Sequence, residues 1–229
     1  MPADPWSTPT SYETSASVEA SFLAKVYRWM AAGLALTGLF AYAVITSPGL
    51  QRVIIQNPIV FFGLLIGELV MVVAFSRVVQ RASFGTAAAM FLAYCALSGL
   101  TFSVIFLAYT RESIASTFFI TGGTFAAMSA YGTLTKKDLT GWGQFLMMGL
   151  IGVVIALVVN IFLRSDALGF VLSCAGVVVF TGLTAYDAQK IKGYAHAGDE
   201  RLALHGALTL YLDFVNLFLM LLRLFGRRK

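Results

Sequence analysis

Long apolar runs, separated by short charged stretches, occupy most of this 229-residue sequence. The run between Arg81 and Arg111, for example, contains 29 consecutive uncharged residues. A helix needs about 20 mostly apolar residues to cross the hydrocarbon core of a bilayer. The runs therefore predict seven transmembrane helices, at about residues 29–46, 58–76, 85–109, 114–134, 143–163, 168–189 and 204–224.

The composition agrees with a polytopic membrane protein. Hydrophobic residues make up 59% of the chain and charged residues only 12%, against about 25% in soluble domains. Transmembrane β-strands are about 10 residues long and alternate strictly, whereas these runs are longer and apolar on every face. The predicted fold class is an all-α membrane protein with seven helices. The net charge of +5 comes from bases beside the apolar runs, so we expect lipid headgroup contacts and no nucleic-acid partner.

The first 24 residues differ from the rest, because they are polar and rich in Ser, Thr, Ala and Pro. Such a segment buries too little apolar surface to fold by itself. We expect residues 1–24 to form a disordered N-terminal tail and residues 25–229 to form the seven-helix membrane domain.

Lysines and arginines between the runs predict the orientation. A cytoplasmic N-terminus puts nine bases on the cytoplasmic side and three on the other, which the positive-inside rule favours. Four further bases follow the last run and would lie outside if that helix crosses fully. A short or re-entrant last helix would keep them inside, so the side of the C-terminus is left open. The nine are Lys25, Arg28, Arg77, Arg81, Lys136, Lys137, Lys190, Lys192 and Arg201; the three are Arg52, Arg111 and Arg164; the four are Arg223, Arg227, Arg228 and Lys229.

Two aspartates, Asp187 and Asp213, interrupt the last two apolar runs. A carboxylate near the bilayer centre costs about 2.5–3.5 kcal/mol on insertion scales, so a chain that keeps two of them is expected to use them. The sixth span ends on the side where the seventh begins, which places both in the same half of the membrane. There the two carboxyl groups cannot both ionise easily, and we expect them to share a proton and titrate as a unit. This pattern predicts a proton sensor; the alternative is that the aspartates cap helices or pair with bases.

Three other polar residues lie near this pair in the sequence. Tyr186 and Tyr211 are candidates for hydrogen bonds to the two carboxyl groups. Asn216 lies three residues after Asp213 and therefore on a similar face of a helix.

The second span carries polar residues of its own. Glu68 is a third acid inside the membrane, and its structural alternative is a hydrogen-bonded helix contact. Arg77 and Arg81 lie one turn apart at the end of the same span. They are candidates for a latch that swings to a carboxylate, and the simpler interpretation is that they reach the headgroup region.

Four motifs resemble the bacterial branch of the Bax inhibitor family, the transmembrane Bax-inhibitor-motif proteins. The last two surround the aspartates and are long and specific, and the similarity covers roughly residues 27–228. The motifs are Thr135-Lys-Lys-Asp-Leu-Thr-Gly-Trp-Gly, Asn160-Ile-Phe-Leu, Gly182-Leu-Thr-Ala-Tyr-Asp-Ala-Gln-Lys-Ile-Lys and Gly206-Ala-Leu-Thr-Leu-Tyr-Leu-Asp-Phe-Val-Asn-Leu-Phe.

The resemblance implies a fold with the last helix at the centre, in a bacterial inner membrane. It also implies a pH-sensitive calcium leak with a di-aspartyl proton sensor at Asp187 and Asp213, and an acid in the second span at Glu68. The family's basic latch has no clean match, since Arg77 and Arg81 flank its expected position. Calcium is expected to be a permeant ion bound transiently by the two aspartates, with no resident cofactor, because a tight calcium site needs about 6–8 oxygen ligands.

Three other functions would use parts of the same sequence pattern. An intramembrane aspartyl protease also has Tyr-Asp in one span and an aspartate in the next, but its second motif is Gly-x-Gly-Asp, where this chain has Leu210-Tyr-Leu-Asp. We therefore expect no enzyme. A proton-coupled transporter would use the same aspartates as a relay. A regulatory protein would act through membrane-protein partners without transport.

Overall fold

The computed structural model describes the backbone of residues 11–229 and the side chains of residues 15–229. Over this range the chain forms eight α-helices and one short 3-10 helix. The α-helices are α1 (Ser11–Thr46), α2 (Pro48–Ile54), α3 (Pro58–Val78), α4 (Phe84–Ala108), α5 (Arg111–Leu134), α6 (Thr140–Leu163), α7 (Asp166–Gly193) and α8 (Glu200–Phe225); the 3-10 helix is Tyr194–Ala197.

Capping side chains explain where most of the helices begin. The residues before α3, α4, α5 and α7 each accept a hydrogen bond from a backbone N–H in the first turn. Asp199 does the same for α8. Such caps satisfy N–H groups that have no partner within the helix. The four other caps are Asn57, Ser83, Thr110 and Ser165.

Helix α8 lies at the centre of the bundle, as the resemblance implies. It contacts α1, α4, α5 and α7, and Leu204, Leu210 and Leu217 on it have no exposed surface. Helices α3 and α6 lie at the periphery, α3 against α4 and α6 against α7. Their large apolar side chains, such as Leu69 and Phe162, point outwards. An apolar exterior of this kind fits a protein that lipid surrounds, since lipid tails are as apolar as leucine.

Six of the seven predicted spans correspond to helices that are long and apolar enough to cross a membrane: α1, α3, α4, α6, α7 and α8. Helix α5 is 24 residues long but more polar, because it begins with Arg111 and Glu112 and contains seven serines and threonines. It packs against α7 and α8 inside the bundle. The crossing of the membrane by α5 stays a prediction.

Part of the expected disordered tail is helical. Residues 11–24 continue α1 without a break, whereas residues 1–10 lie outside the described residues. In this extension Glu19 pairs with Lys192 at 3.2 Å and with His196 at 3.1 Å. The extension is therefore ordered against the connection between α7 and α8, and such tertiary contacts override what composition alone predicts.

Hydrogen bonds at both of its ends fix the path of α8. Where α8 begins, Arg201 Nη1 donates to the carbonyl oxygen of Ala82, in the α3–α4 connection, at 3.1 Å. After α8 ends, the carbonyl oxygen of Arg227 accepts from the backbone N–H of Thr110, in the α4–α5 connection, at 3.0 Å. These connections lie at opposite ends of α4, so α8 runs through the whole bundle and is not re-entrant. We call the end where α8 begins the proximal end and the end where the C-terminal segment lies the distal end.

Candidate functional site

Asp187 on α7 and Asp213 on α8 face each other across the interface of the two helices. Their carboxyl groups lie close enough to interact, and a hydrogen bond between them needs a proton on one of them, because an ionised carboxylate only accepts. Asp213 is only 6% exposed, and its Oδ2 atom has no N–H or hydroxyl donor among the described residues. The site is thus a carboxyl pair in which Asp213 is buried and Asp187 half-buried, and the structure brings together the two residues that the sequence singles out.

Basic residues do not neutralise this pair. Lys190, one turn after Asp187, influences it electrostatically, but its Nζ lies over the ring of Tyr186, 5.8 Å from the centroid. Among the described residues, the ion pairs within 4 Å involve neither Asp187 nor Asp213. Within the described part of the chain, the carboxyl pair therefore lacks an ion-pair partner.

Small residues bring the surrounding helices close. A Cβ atom at Gly132 on α5 would overlap the carbonyl oxygen of Ala185, two residues before Asp187. A Cβ atom at Gly176 on α7 would lie 2.8 Å from the Cγ of Met220 on α8. Helices in lipid approach closely through such residues. The backbone around the carboxyl pair is consequently tightly packed.

Buried apolar side chains lie on α8 on both sides of Asp213 along the helix. Toward the proximal end, Leu204 and Leu210 are fully buried. Toward the distal end, Leu217 and Leu221 pack with Leu183 of α7 in one apolar cluster. The polar side chains of Thr209, one turn before Asp213, and His205 also lie on the proximal part of α8, so the apolar cover is incomplete there.

The three polar residues expected beside the pair point elsewhere. Tyr186 turns toward α6, where its ring fills the space that a side chain at Gly143 would occupy. Tyr211 turns toward α1, where its hydroxyl lies 2.7 Å from Thr37 Oγ1. The amide of Asn216 donates to a carbonyl one turn back on its own helix, at 2.8 Å. Rotation about the helix axes, which spacing alone does not give, therefore directs Tyr186 and Tyr211 to neighbours other than the expected aspartates, and Asn216 bonds to its own helix.

Glu68 lies away from the pair, on the α3–α4 interface. Its Oε1 atom accepts a hydrogen bond from Thr101 Oγ1 at 2.5 Å, which matches the structural alternative given for this residue. Arg77 and Arg81 are exposed at the proximal end of α3, and neither forms an ion pair with a described acid. A latch through either arginine requires a movement of α3 and stays a prediction.

Two buried hydroxyl groups, those of Thr37 and Thr101, were not predicted from the sequence. Thr37 bonds to Tyr211 and to the carbonyl oxygen of Cys95, and Thr101 holds Glu68. Both are buried on the inner faces of α1 and α4. Their only signal in the sequence is a hydroxyl group inside an otherwise apolar run, which many membrane helices share.

Known proteins resemble this chain over nearly its whole length. The family model described as "Inhibitor of apoptosis-promoting Bax1" matches residues 19–229. The "Inner membrane protein YbhL" of Escherichia coli is 47% identical over 216 residues, which cover 91% of this chain and 92% of that protein. A protein of Borreliella burgdorferi is 44% identical over 218 residues, 93% of this chain and 94% of its own. A membrane protein of Streptococcus pyogenes is 36% identical over 214 residues, 90% of this chain and 92% of its own.

Proposed function

The chain belongs to the Bax inhibitor family, and on that premise we propose that it is a pH-sensitive calcium leak channel gated by the carboxyl pair Asp187–Asp213. It is an integral membrane protein. Its relative in Escherichia coli is named an inner membrane protein, and this supports the same location here.

The observation that carries the proposal is the close approach of the two carboxyl groups across the interface of α7 and α8. Loss of the shared proton leaves two negative charges side by side in a medium of low dielectric constant, where repulsion is strong. The carboxylates must then move apart or bind a cation between them. Either response changes the contact of α7 with α8, and this change is the proposed opening step.

Calcium suits the deprotonated pair as a passing ion. Its two positive charges balance both carboxylates, and oxygen atoms are its preferred ligands. Two carboxylates supply at most four oxygen atoms, whereas a tight site uses about 6–8 ligands. Water and backbone carbonyls must complete the shell, so the ion also leaves easily, as conduction requires. Calcium is thus the transported ion, and neither a resident cofactor nor an enzymatic activity is part of the proposal.

The proposed orientation puts the proximal end in the cytoplasm. Nine lysines and arginines lie at that end, against seven at the distal end once the four C-terminal bases are included. The majority at the proximal end favours a cytoplasmic N-terminus. Helix α5 is included as the seventh span because it packs against α7 and α8 within the bundle.

The proposal is tested by calcium flux. Purified protein is reconstituted into liposomes that contain a calcium dye, and the initial rate is measured from about pH 6 to about pH 8, where a shared carboxyl proton is expected to titrate. Asp213→Asn keeps the shape of the side chain but removes the titrating group. We expect flux that depends on pH in the wild type and a flattened pH profile in Asp213→Asn and Asp187→Asn. Asp166→Asn, at an exposed position in the first turn of α7, is the matched control and keeps the wild-type profile.

The same experiment separates the rival functions. No flux above empty liposomes at any pH, from protein that elutes as a folded species, contradicts the channel. Uptake of another solute driven by a pH gradient would then favour a proton-coupled transporter that uses the same carboxyl pair. Absence of transport in every assay would favour a regulatory membrane protein that acts through partners.

A further inference from the structure

An apolar cleft opens between α1 and α5 in the distal half of the bundle. Both helices pack against α8, but a void of about 110 Å³ separates them. Its walls include Gly38 of α1, Phe102 of α4, Phe118 of α5, and Phe214 and Phe218 of α8. The ring centroids of Phe118 and Phe214 are 5.3 Å apart, so aromatic rings form the wall on one side.

The void continues outward into a second space of about 330 Å³ that reaches the surface of the bundle. Phe106 and Phe118 line both spaces, which makes them one cleft. Tyr42 and Phe119, which are 56% and 76% exposed, flank its mouth. The cleft is therefore open toward the lipid that surrounds α1 and α5.

The lining of the cleft selects a hydrocarbon ligand. Among the described lining residues of the inner void, Thr37 carries the single polar side chain, and its hydroxyl already bonds to Tyr211 and to a backbone carbonyl. An apolar cavity without free polar groups stays dry, and a cavity of about 150 Å³ holds a ligand as small as benzene. The inner void thus has room for a few methylene groups, and the outer space has room for more of the same chain.

The mouth of the cleft is positively charged. Arg111 lines it and is exposed, and among the described residues no acid pairs with it. Lys229 lies beside it, because its Nζ donates to the carbonyl oxygen of the lining residue Phe106 at 2.7 Å. Glu112, the next residue on α5, is an acid, but its side chain points about 100° away from that of Arg111 around the helix axis. An arginine and a lysine at the polar end of an apolar cleft complement an anionic headgroup on a hydrocarbon chain.

We propose that this cleft binds one acyl chain of an anionic glycerophospholipid from the distal leaflet, with the phosphate held by Arg111 and Lys229. The chain enters between Tyr42 and Phe119 and ends against Phe214. A neutral lipid fills the same apolar space but gains less from the two cations, so the site discriminates by headgroup charge.

The inner end of this site touches the helix that carries the carboxyl pair. Phe214 directly follows Asp213 on α8, so a bound chain supports α8 at the level of the acid. An influence of this lipid on calcium flux rests on the proposed function, whereas binding of the lipid does not. Binding is therefore measured without any transport assay.

The test uses native mass spectrometry of the purified full-length protein in detergent. Phosphatidylglycerol and phosphatidylcholine with identical acyl chains are titrated separately, and the lipid-bound fractions are compared. We expect one phosphatidylglycerol per protein to bind about tenfold more tightly than phosphatidylcholine, since charge-assisted hydrogen bonds to phosphate are the strong ones. Arg111→Ala removes most of this preference, and Arg164→Ala, another exposed arginine at the distal end, does not.

A second pair of variants tests the cleft itself. A Cβ atom at Gly38 meets no atom within 4 Å, so Gly38→Leu adds a side chain at the wall of the inner void and is expected to reduce binding of both lipids. Gly63→Leu, at an equally open position on α3, is its matched control. Equal binding of the two lipids by the wild type, unchanged in Arg111→Ala and Gly38→Leu, means a non-specific lipid shell and overturns the proposal. Should Gly38→Leu fail to fold, Arg111→Glu provides the decisive measurement, because it changes an exposed residue. It is expected to abolish the preference for phosphatidylglycerol, and an unchanged preference overturns the proposal.

Discussion

Replacing Gly132 with alanine tests how closely α5 approaches α7 behind the carboxyl pair. A Cβ atom at this position overlaps the carbonyl oxygen of Ala185, which belongs to a backbone and cannot rotate away. Real Cβ contacts are essentially never shorter than 3.0 Å, so the two helices must move apart by roughly 1 Å. Overpacking of this kind costs about 1–3 kcal/mol. Alanine recovers up to about 1 kcal/mol through its higher helix propensity.

With the propensity gain subtracted, the expected net loss for Gly132→Ala is roughly 0–2 kcal/mol, and the expected loss relative to the same substitution without overpacking is about 1–3 kcal/mol. For chains of this length, each kcal/mol shifts the melting temperature by about 2–4 °C, so we expect a melting temperature roughly 2–12 °C below that of the control. Thermal unfolding in detergent, followed by circular dichroism at 222 nm (a helix signal), measures it. Gly123→Ala is the matched control, because the same substitution on the same helix meets no atom within 4 Å. We expect this control to be neutral or slightly stabilised.

The same substitution has a consequence for the carboxyl pair. Ala185 lies two residues before Asp187, so a displacement of α7 at Ala185 also moves Asp187 relative to Asp213. If the proposed function is correct, Gly132→Ala raises calcium flux at a fixed pH, and Gly123→Ala does not. A melting temperature for Gly132→Ala equal to that of Gly123→Ala refutes the close approach of α5 and α7 on which this reasoning depends.

Four further substitutions, at three positions, test other contacts of α8. Asp213→Asn can still donate to Asp187 and should stay within about 1 kcal/mol of wild-type stability, whereas Asp213→Ala leaves the half-buried Asp187 without its partner and should lose about 1–3 kcal/mol in thermal unfolding. Asp199→Ala removes the N-cap of α8 and should cost about 0.5–2 kcal/mol. Hydrogen bonds from Arg201 lower the pKa of Asp199, so this difference should be present at neutral pH and disappear as the pH falls through that lowered pKa. Tyr211→Phe removes a buried hydroxyl contact with α1 and should cost about 1 kcal/mol, without flattening the pH profile of calcium flux.

The helices and the carboxyl pair were predictable because the membrane restricts the options. Each span must be about 20 apolar residues long, so charges mark its ends, and caps such as Ser83 and Asn57 fix the boundaries within a few residues. The meeting of Asp187 with Asp213 followed from chain direction, since α7 ends where α8 begins. Both inferences need only distance along a helix axis.

Rotation about the helix axes was not predictable in the same way. Tyr186 and Tyr211 lie within two residues of the aspartates, yet successive residues point about 100° apart, and the two tyrosines contact α6 and α1 instead. Apolar residues surround most of these spans, so the sequence shows no polar face that would set the rotation. The helical extension of residues 11–24 was missed for a related reason, because its order depends on pairing with residues far away in the sequence.

The anchoring of α8 indicates which helix moves when the carboxyl pair loses its proton. Arg201 ties the start of α8 to the α3–α4 connection, and the segment after it is tied to the α4–α5 connection by the backbone of Arg227. Helix α8 is therefore held at both ends by the connections that flank α4. Helix α7 is tied at its proximal end as well, because Gln189 accepts from the backbone N–H of Leu139 and donates to the carbonyl oxygen of Lys137, and Lys192 pairs with Glu19. The distal part of α7 contacts α8 through apolar side chains, which slide more easily than hydrogen bonds break. Repulsion between the two carboxylates is consequently expected to displace the distal part of α7, together with α6 packed against it, and to leave α8 in place as the fixed wall of the ion path.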